Sequence, residues 1–237
     1  PIHFEIREPD GSGYAANAGV KIFGGWSRAF PQKSLSIFAR SHLGPSSFNY
    51  PLFPGAGINE YEAFVLRNSG NDWESTMMRD GFITSIADHL NIDHQRYRPA
   101  LLFLNGEFWG IQNIREKVNE HFIASNHSIE SEHIDLLDIQ GVNDENIVHG
   151  TNADYQILLN YLDTQDINDP IVENALENWI DIESYMSYQA FQIFVDNRDW
   201  PGNNIKFWRD HRVGGKWRWI LYDTDFGFSI WDAYAYT

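Results

Sequence analysis

The residues best placed to do chemistry stand in two clusters towards the C-terminal end. Asp196, Asp199, Asn203 and Asn204 form the first, and Asp223 and Asp225 the second. Between them, residues 205–209 and 216–222 read as strands joined by a turn at Val213-Gly214-Gly215. A hairpin folds back on itself, so the clusters at its two ends are expected together at one end of one sheet. An oxygen-only ligand set of this kind suits Mg²⁺ or Mn²⁺, and Mg²⁺ is usually held by one or two carboxylates together with substrate phosphates.

The rest of the chain must position these groups. Alternation over residues 2–7 is broken at Gly11-Ser12-Gly13 and resumes over 19–23; residues 33–38 read as a strand with Lys33 at its start. Residues 41–60, rich in Gly, Pro, Ser and Asn, read as a loop, and 62–68 as another strand. Ser75 is a candidate N-cap for a helix over 77–90, where Met78, Phe82, Ile86 and Leu90 recur at i, i+4. The clearest local signal is Asn105-Gly106 between residues 97–104 and 107–114, a two-residue type I′ hairpin turn. Helices are expected over 116–124, 154–163 and 170–179. Asp181 caps one over 182–195 that is apolar on most of its surface and therefore expected to be buried. The order predicts one α+β domain of two lobes, a β-rich part (1–115) and a helix-rich part (116–237) carrying the hairpin, with a cleft between them.

Composition narrows the function classes. The 237 residues include 33 Asp and Glu against 17 Lys and Arg, a net charge of −16, which makes nucleic acid and anionic membranes poor partners. With no cysteine, disulfides, thiolate metal sites and cysteine nucleophiles are excluded. No apolar run approaches the length of a membrane span. His121, His127 and His133 recur at a spacing of six, which stacks on no helix face, and neither an HExxH nor a GxSxG motif occurs. The nine tryptophans raise the possibility of a carbohydrate-binding surface, although scattered Trp more often builds core. The chain opens at Pro1 and reads as a piece of a longer protein.

Four segments in one order carry a resemblance. GGWSRAFPQKSLSI, LRNSGNDWESTMMRDGF, LLFLNGEFWGIQNIREKVNEHF and DNRDWPGNNIKFWRDHRVGGKWRWILYDTDFGF resemble segments of the CotH family, the spore-coat protein H-like atypical kinases, across about residues 19–228. The resemblance implies a kinase-like fold, phosphoryl transfer from ATP to Ser or Thr of a protein substrate with a divalent metal, and an extracellular, cell-surface or envelope location.

Residue by residue, Asp223 matches the family's metal-binding Asp. Asp225, followed by Phe226-Gly227 in a DFG-like triplet, is carried as a second metal ligand, and Asn204 as a third. Such a cation offsets charge in a transition state stabilised mainly by electrostatics. Asp199 matches the catalytic Asp that orients the attacking hydroxyl and accepts its proton, with Asp196 the rival three residues earlier. Lys33, Arg28 and Ser27 are expected on the phosphate side, with Asp80 or Glu62 orienting Lys33. Glu116 and Lys117 match an "EK" pair at the nucleotide cleft or between the lobes. The chain departs from the pattern in three places: Asn203 replaces a His, Lys206 replaces an apolar or aromatic residue, and Gln32-Lys33 replaces a double Lys. These departures leave room for a non-catalytic surface, coat-assembly or adhesion module on the same fold.

Overall fold

Period-two alternation is realised from the first strand, where every second side chain of β1 (Ile2–Arg7) is turned partly inward. The computed structural model describes residues 1–141 and 145–230. The chain is α+β. β2 (Gly13–Phe23), β3 (Ser34–Phe38), a small ladder of β4 (Phe48–Asn49) with β5 (Glu60–Tyr61), and β6 (Ala63–Arg67) precede helix α1 (Arg79–Ile86). Then come β7 (Asp93–His94), β8 (Tyr97–Leu104), β9 (Glu107–Glu116) and α2 (Glu120–His127). β10 (Ile134–Ile139), β11 (Glu145–His149), α3 (Ala153–Thr164), α4 (Pro170–Leu176), α5 (Ile182–Phe194), β12 (Ile205–Asp210) and β13 (Arg218–Leu221) complete the order.

Six strands form an antiparallel sheet in the order β1-β2-β3-β6-β9-β8, and five form a second in the order β11-β10-β12-β13-β7. β7, from the first half of the chain, joins the second sheet parallel to β13. One face of the first sheet buries Ile37, Phe64 and Ile114 under Phe48 and Leu52 of the following loop. Cross-strand partners share a face, so Lys21, Ser36, Val65 and Arg115 run in one row across its opposite, more polar face. In the second sheet the alternation feeds two cores. Leu137, Phe207, Trp219 and Leu221 pack with Ile83 of α1 and Tyr188 of α5, while Leu136, Trp208 and Ile220 pack under Phe122 and Ile123 of α2. Each such side chain contributes about 1.5–3 kcal/mol by leaving water.

The Asn105-Gly106 turn forms with both residues at positive φ, as a type I′ hairpin requires. Asp181 caps α5 by accepting from the Ser184 N–H at 3.1 Å. α1 starts later than the sequence suggests. Met77 has φ +60°, outside helical space. The buried Asp72 carboxylate, rather than Ser75, receives the N–H groups of Thr76, Met78 and Arg79. The Met78, Phe82 and Ile86 stripe of α1 is exposed; the face it buries carries Asp80, Gly81, Ile83 and Thr84. Gly81 allows that contact, because a Cβ there would collide with the Tyr97 ring. On α5, Met186, Ile193 and Phe194 are exposed, so the helix is covered on one side only. α2 begins at Glu120 behind an Asn119 cap, and the acidic stretch before α3 holds two strands, β10 and β11, to which the sequence reading assigns no element. Among the described residues no helix is long and apolar enough to cross a membrane.

The short strand β7 is fastened electrostatically. Asp93 accepts from His127 of α2 at 3.0 Å, from the Trp208 indole at 2.8 Å and from Arg218 at 3.2 Å. Burial pushes its carboxyl up, but His127 and Arg218 outweigh burial and hold it at about 2. A carboxylate with a depressed folded pKa contributes stability that is fully present above its unfolded value near 4 and is lost as pH falls through about 2. Urea unfolding measured from pH 6 to pH 2 is expected to show this loss, and Asp93→Asn is expected to remove about 2 kcal/mol of it. An identical acid limb in the variant would show that this cluster does not hold β7 in place.

Candidate active site

β6 ends in Arg67, whose side chain leaves the polar face of the first sheet for the loop that follows β13. Its Nη2 donates to Asp223 Oδ1 and, at 2.8 Å, to Asp225 Oδ2, and its Nε lies 3.4 Å from Asp80 Oδ2. Arg115 of β9 reaches the same Asp80 oxygen at 3.3 Å. The other oxygen of Asp80 accepts from the Thr224 N–H at 2.9 Å and the Thr224 hydroxyl at 3.0 Å. The Asp223-Thr224-Asp225 segment is thus gripped at every residue: two carboxylates by Arg67, and the threonine between them by α1.

The charges are nearly all out of water. Burial alone would weaken the Arg67 guanidinium, but Asp223, Asp80 and Asp225 overcome it and hold it well above its ordinary value. Burial likewise opposes the Asp80 carboxylate and is overcome by Arg115 and Arg67, which leave it low. Asp225, 1% exposed, is pushed up to about 7 by burial and by neighbouring Asp223, against the pull of Arg67. Its oxygens also accept from the Asn71 N–H at 2.9 Å and the Asn71 amide at 3.3 Å. This approach needs glycine beside it: Gly70 has φ +59°, and a Cβ there would collide with Asp225 and Arg67. Asp223 stays about a quarter exposed.

The first cluster, in the loop between α5 and β12, meets the second. Asp199 Oδ2 accepts from the Asn203 amide at 2.9 Å and from the Asn204 amide. Burial raises the Asp199 carboxyl, Asn203 opposes the rise, and nearby Asp223 adds to it. Asn204 and Asp223 both have left-handed backbone, at φ +56° and +53°. Donation of the Asn204 amide to Asp199 leaves its carbonyl oxygen for another partner. Asp196 lies two residues beyond α5 at φ +48° and is occupied by Arg198 at 3.2 Å. Asp223, Asn204 and Asp225 offer oxygen atoms of the type a hard divalent cation takes.

The remaining predicted residues lie around this centre with other partners. Ser27 and Arg28 sit in a 3₁₀ turn (Trp26–Ala29), and a second such turn (Gly70–Asp72) places Asn71 on Asp225. The two turns are adjacent, with the Phe30 ring tilted against that of Trp73 at 5.4 Å. Lys33 falls just outside β3, and its ammonium donates to the carbonyls of Arg28 and Phe30, each at 2.6 Å, which holds that turn in shape. Asp80 serves Arg67 and Arg115 rather than Lys33. Glu116 is buried and accepts from the Arg96 N–H at 2.9 Å and the Arg96 guanidinium at 2.8 Å, so its carboxylate fastens β9 to the segment before β8. Arg79 pairs with Asp72 at 3.2 Å and donates to the carbonyls of Gly227 and Phe228. Arg67, Arg115 and Asn71 were not singled out from sequence. The available signal was that two arginines end apolar strands, a costly place for a cation unless carboxylates from elsewhere meet it.

Residues 20–236, nearly the whole chain, match the profile of the family described as CotH kinase protein. No curated protein matches the chain significantly.

Replacing Arg67 by Met is expected to leave Asp80, Asp223 and Asp225 short of a buried cation and to destabilise the fold by about 3–5 kcal/mol in denaturant unfolding. Asp225→Asn in that background is expected to restore part of the loss, because one of the crowded carboxylates is gone. Strict additivity of the two substitutions would show that the pair is not coupled.

Proposed function

The chain belongs to the CotH kinase protein family, and from that premise we propose that it transfers a phosphoryl group from ATP to a Ser or Thr hydroxyl of a protein substrate. The observation that carries this reading is the convergence of Asp199 and Asn204, bonded to each other, with Asp223 and Asp225, held by Arg67, at the two ends of one hairpin. Asp199 and Asn204 stand five residues apart, the spacing of the catalytic Asp and the metal-binding Asn in protein-kinase catalytic loops.

In this reading Asp199 accepts a hydrogen bond from the acceptor hydroxyl, aims its oxygen and takes its proton as transfer proceeds. Asn203 and Asn204 keep its carboxylate oriented. Asp223, Asn204 and Asp225 would hold Mg²⁺ or Mn²⁺, which offsets phosphate charge when bound. Arg67 fixes the two aspartates and keeps their carboxylates from separating. Ser27 and Arg28 lie on the turn beside Asn71, from which exposed Arg28 and the backbone N–H groups can meet phosphate oxygens. The chain acts as one domain, with the nucleotide between the two sheets.

One observation favours a second reading, a kinase-like module that binds but does not catalyse: Arg67 already neutralises Asp223 and Asp225 from within the chain. Transfer of label from [γ-³²P]ATP to a mixture of Ser/Thr acceptor peptides separates the two. Asp199→Ala is expected to lower the rate 10²–10⁴-fold while nucleotide affinity is kept. Asp223→Ala is expected to abolish transfer with the far-UV CD spectrum unchanged. Turnover that survives Asp223→Ala would overturn the assignment. Metal-dependent ATP binding with no transfer by the wild type would favour the non-catalytic module.

A further inference from the structure

We propose that the phosphate chain of the nucleotide is held by a cationic subsite made of Lys21, Lys117 and Lys206, where the polar face of the first sheet meets the second; this rests on the nucleotide reading given above. The register places Lys21 beside Ser36 on the face that carries Val65 and Arg115. Phe23 and Phe38, each two residues along their strands, share that face, as does Lys117, two residues beyond Arg115.

Three cations surround one ring there. Lys117 Nζ lies 5.3 Å from the Phe38 centroid, Arg40 Cζ 5.0 Å and Lys21 Nζ 5.9 Å, and Lys117 Nζ is also 5.5 Å from the Phe23 ring. In a chain with 33 acidic residues against 17 basic ones, such a gathering is not a random sample of the surface. Cation–π contact contributes about 0.5–2 kcal/mol per pair, but like charges brought together lose part of it unless an anion joins them. Among the described residues Lys117 has no ion pair and no hydrogen bond. Its ammonium is held below the ordinary lysine value by burial first and then by Lys206, with Lys21 adding to Lys206 and Glu120 opposing them.

Lys206 comes from the second sheet. It lies two residues past Asn204, pairs with Asp138 at 2.7 Å and sits 5.4 Å from the ring of Tyr222, the neighbour of Asp223. The subsite thus adjoins the carboxylate cluster. A second feature of the same face calls for a ligand: Ser36 Oγ, in a residue only 2% exposed, has no hydrogen-bond partner, a state that costs free energy unless something binds there. Of the other cations near the centre, Lys33 is committed to two carbonyls and Arg67 to three carboxylates. An ammonium is a point-charge phosphate binder, and among the described residues Lys117 and Lys21 are bound to no carboxylate or carbonyl, only to aromatic rings.

Calorimetric titration with ATP, inorganic tripolyphosphate and adenosine tests this on the wild type and on Lys117→Met, Lys206→Met and Lys117→Arg, with Lys216→Met on the exposed hairpin end as control. Each Met variant at positions 117 and 206 is expected to lose tenfold or more in affinity for ATP and for tripolyphosphate and to keep its affinity for adenosine. Lys117→Arg, which conserves the charge, is expected to retain most of the tripolyphosphate affinity, and Lys216→Met all of it. If the wild type binds ATP and the two Met variants bind ATP and tripolyphosphate equally well, the subsite is wrong while the nucleotide reading stands. Loss of adenosine with tripolyphosphate binding intact would place the base there instead and overturn the proposal. A wild type that binds none of the three overturns the nucleotide reading, and the subsite with it.

Discussion

The structure turns on one guanidinium. Arg67 reaches from the end of a strand in the first sheet to Asp223 and Asp225 beyond the last strand of the second, with Asp80 of α1 beside it. Arg115 is the only other cation paired within that group among the described residues, so two guanidiniums face three carboxylates, and the cluster carries about one negative charge too many. A buried imbalance of this kind has two remedies. A carboxylate can hold a proton, as Asp225 is poised to do at about 7, or a further cation can join. Such a cluster is poor evidence for stability, since apolar residues of similar volume would often fold as well. Its effect lies in register: it ties the loop after β13 to the end of β6, with Asp223 near enough to Asp199 to raise its carboxyl.

Backbone strain is concentrated in the same place. Nine non-glycine residues have left-handed backbone among the described residues, and seven of them, Ser69, Met77, Asp196, Asn204, Asp223, Phe228 and Ser229, belong to the three segments that meet at Arg67 and Asp199. Each such residue costs on the order of 1–2 kcal/mol against its relaxed state. The cost is carried by the surrounding network: Asp72 takes five donors from the 76–79 turn, and Arg79 ties that turn to Gly227 and Phe228. The strained positions are those that aim Asn204 and Asp223, whereas the hairpins and helices away from the site are close to unstrained.

How much of this was legible in the sequence follows from the range of the interactions. The Asn-Gly hairpin, the Asp181 cap, α3 and the β12–β13 hairpin are fixed by residues within a few positions of one another, and each was readable. The exposed stripe on α1 was not, because i, i+4 spacing records amphipathicity without saying which face the fold covers. Here the sheet offers Tyr97 and Arg115, so the smaller and more polar side of the helix goes in. β10 and β11 were lost for a related reason: IDLLDI is buried on both faces and lacks a clean alternation. Arg67 is the sharpest case. Its partners are 13, 156 and 158 residues away, and only the closed fold brings them within reach. Lys33 shows the converse, a residue of the right type at the right place in the chain whose ammonium is taken by the carbonyls of its own turn.

The acidic balance of the chain does not by itself oppose the proposed polyanionic ligand. Exposed charges are screened over about 8–10 Å at physiological ionic strength, so carboxylates on the outer faces of α3 and α4 contribute little at the inter-sheet face. Groups within that face are close together and partly desolvated, where a unit charge counts for several times what it does in water. The relevant sum is therefore local. Asp223, Asp225 and Asp199 lie at one end of that face, and Lys21, Lys117 and Lys206 at the other, bridged by Tyr222. A face with carboxylates at one end and ammoniums at the other suits a ligand that carries its own cation at one point and bare negative charge at the next. That is the charge pattern of the nucleotide and divalent metal proposed above. A net −16 surface around it disfavours other polyanions, nucleic acid among them, without weakening the site.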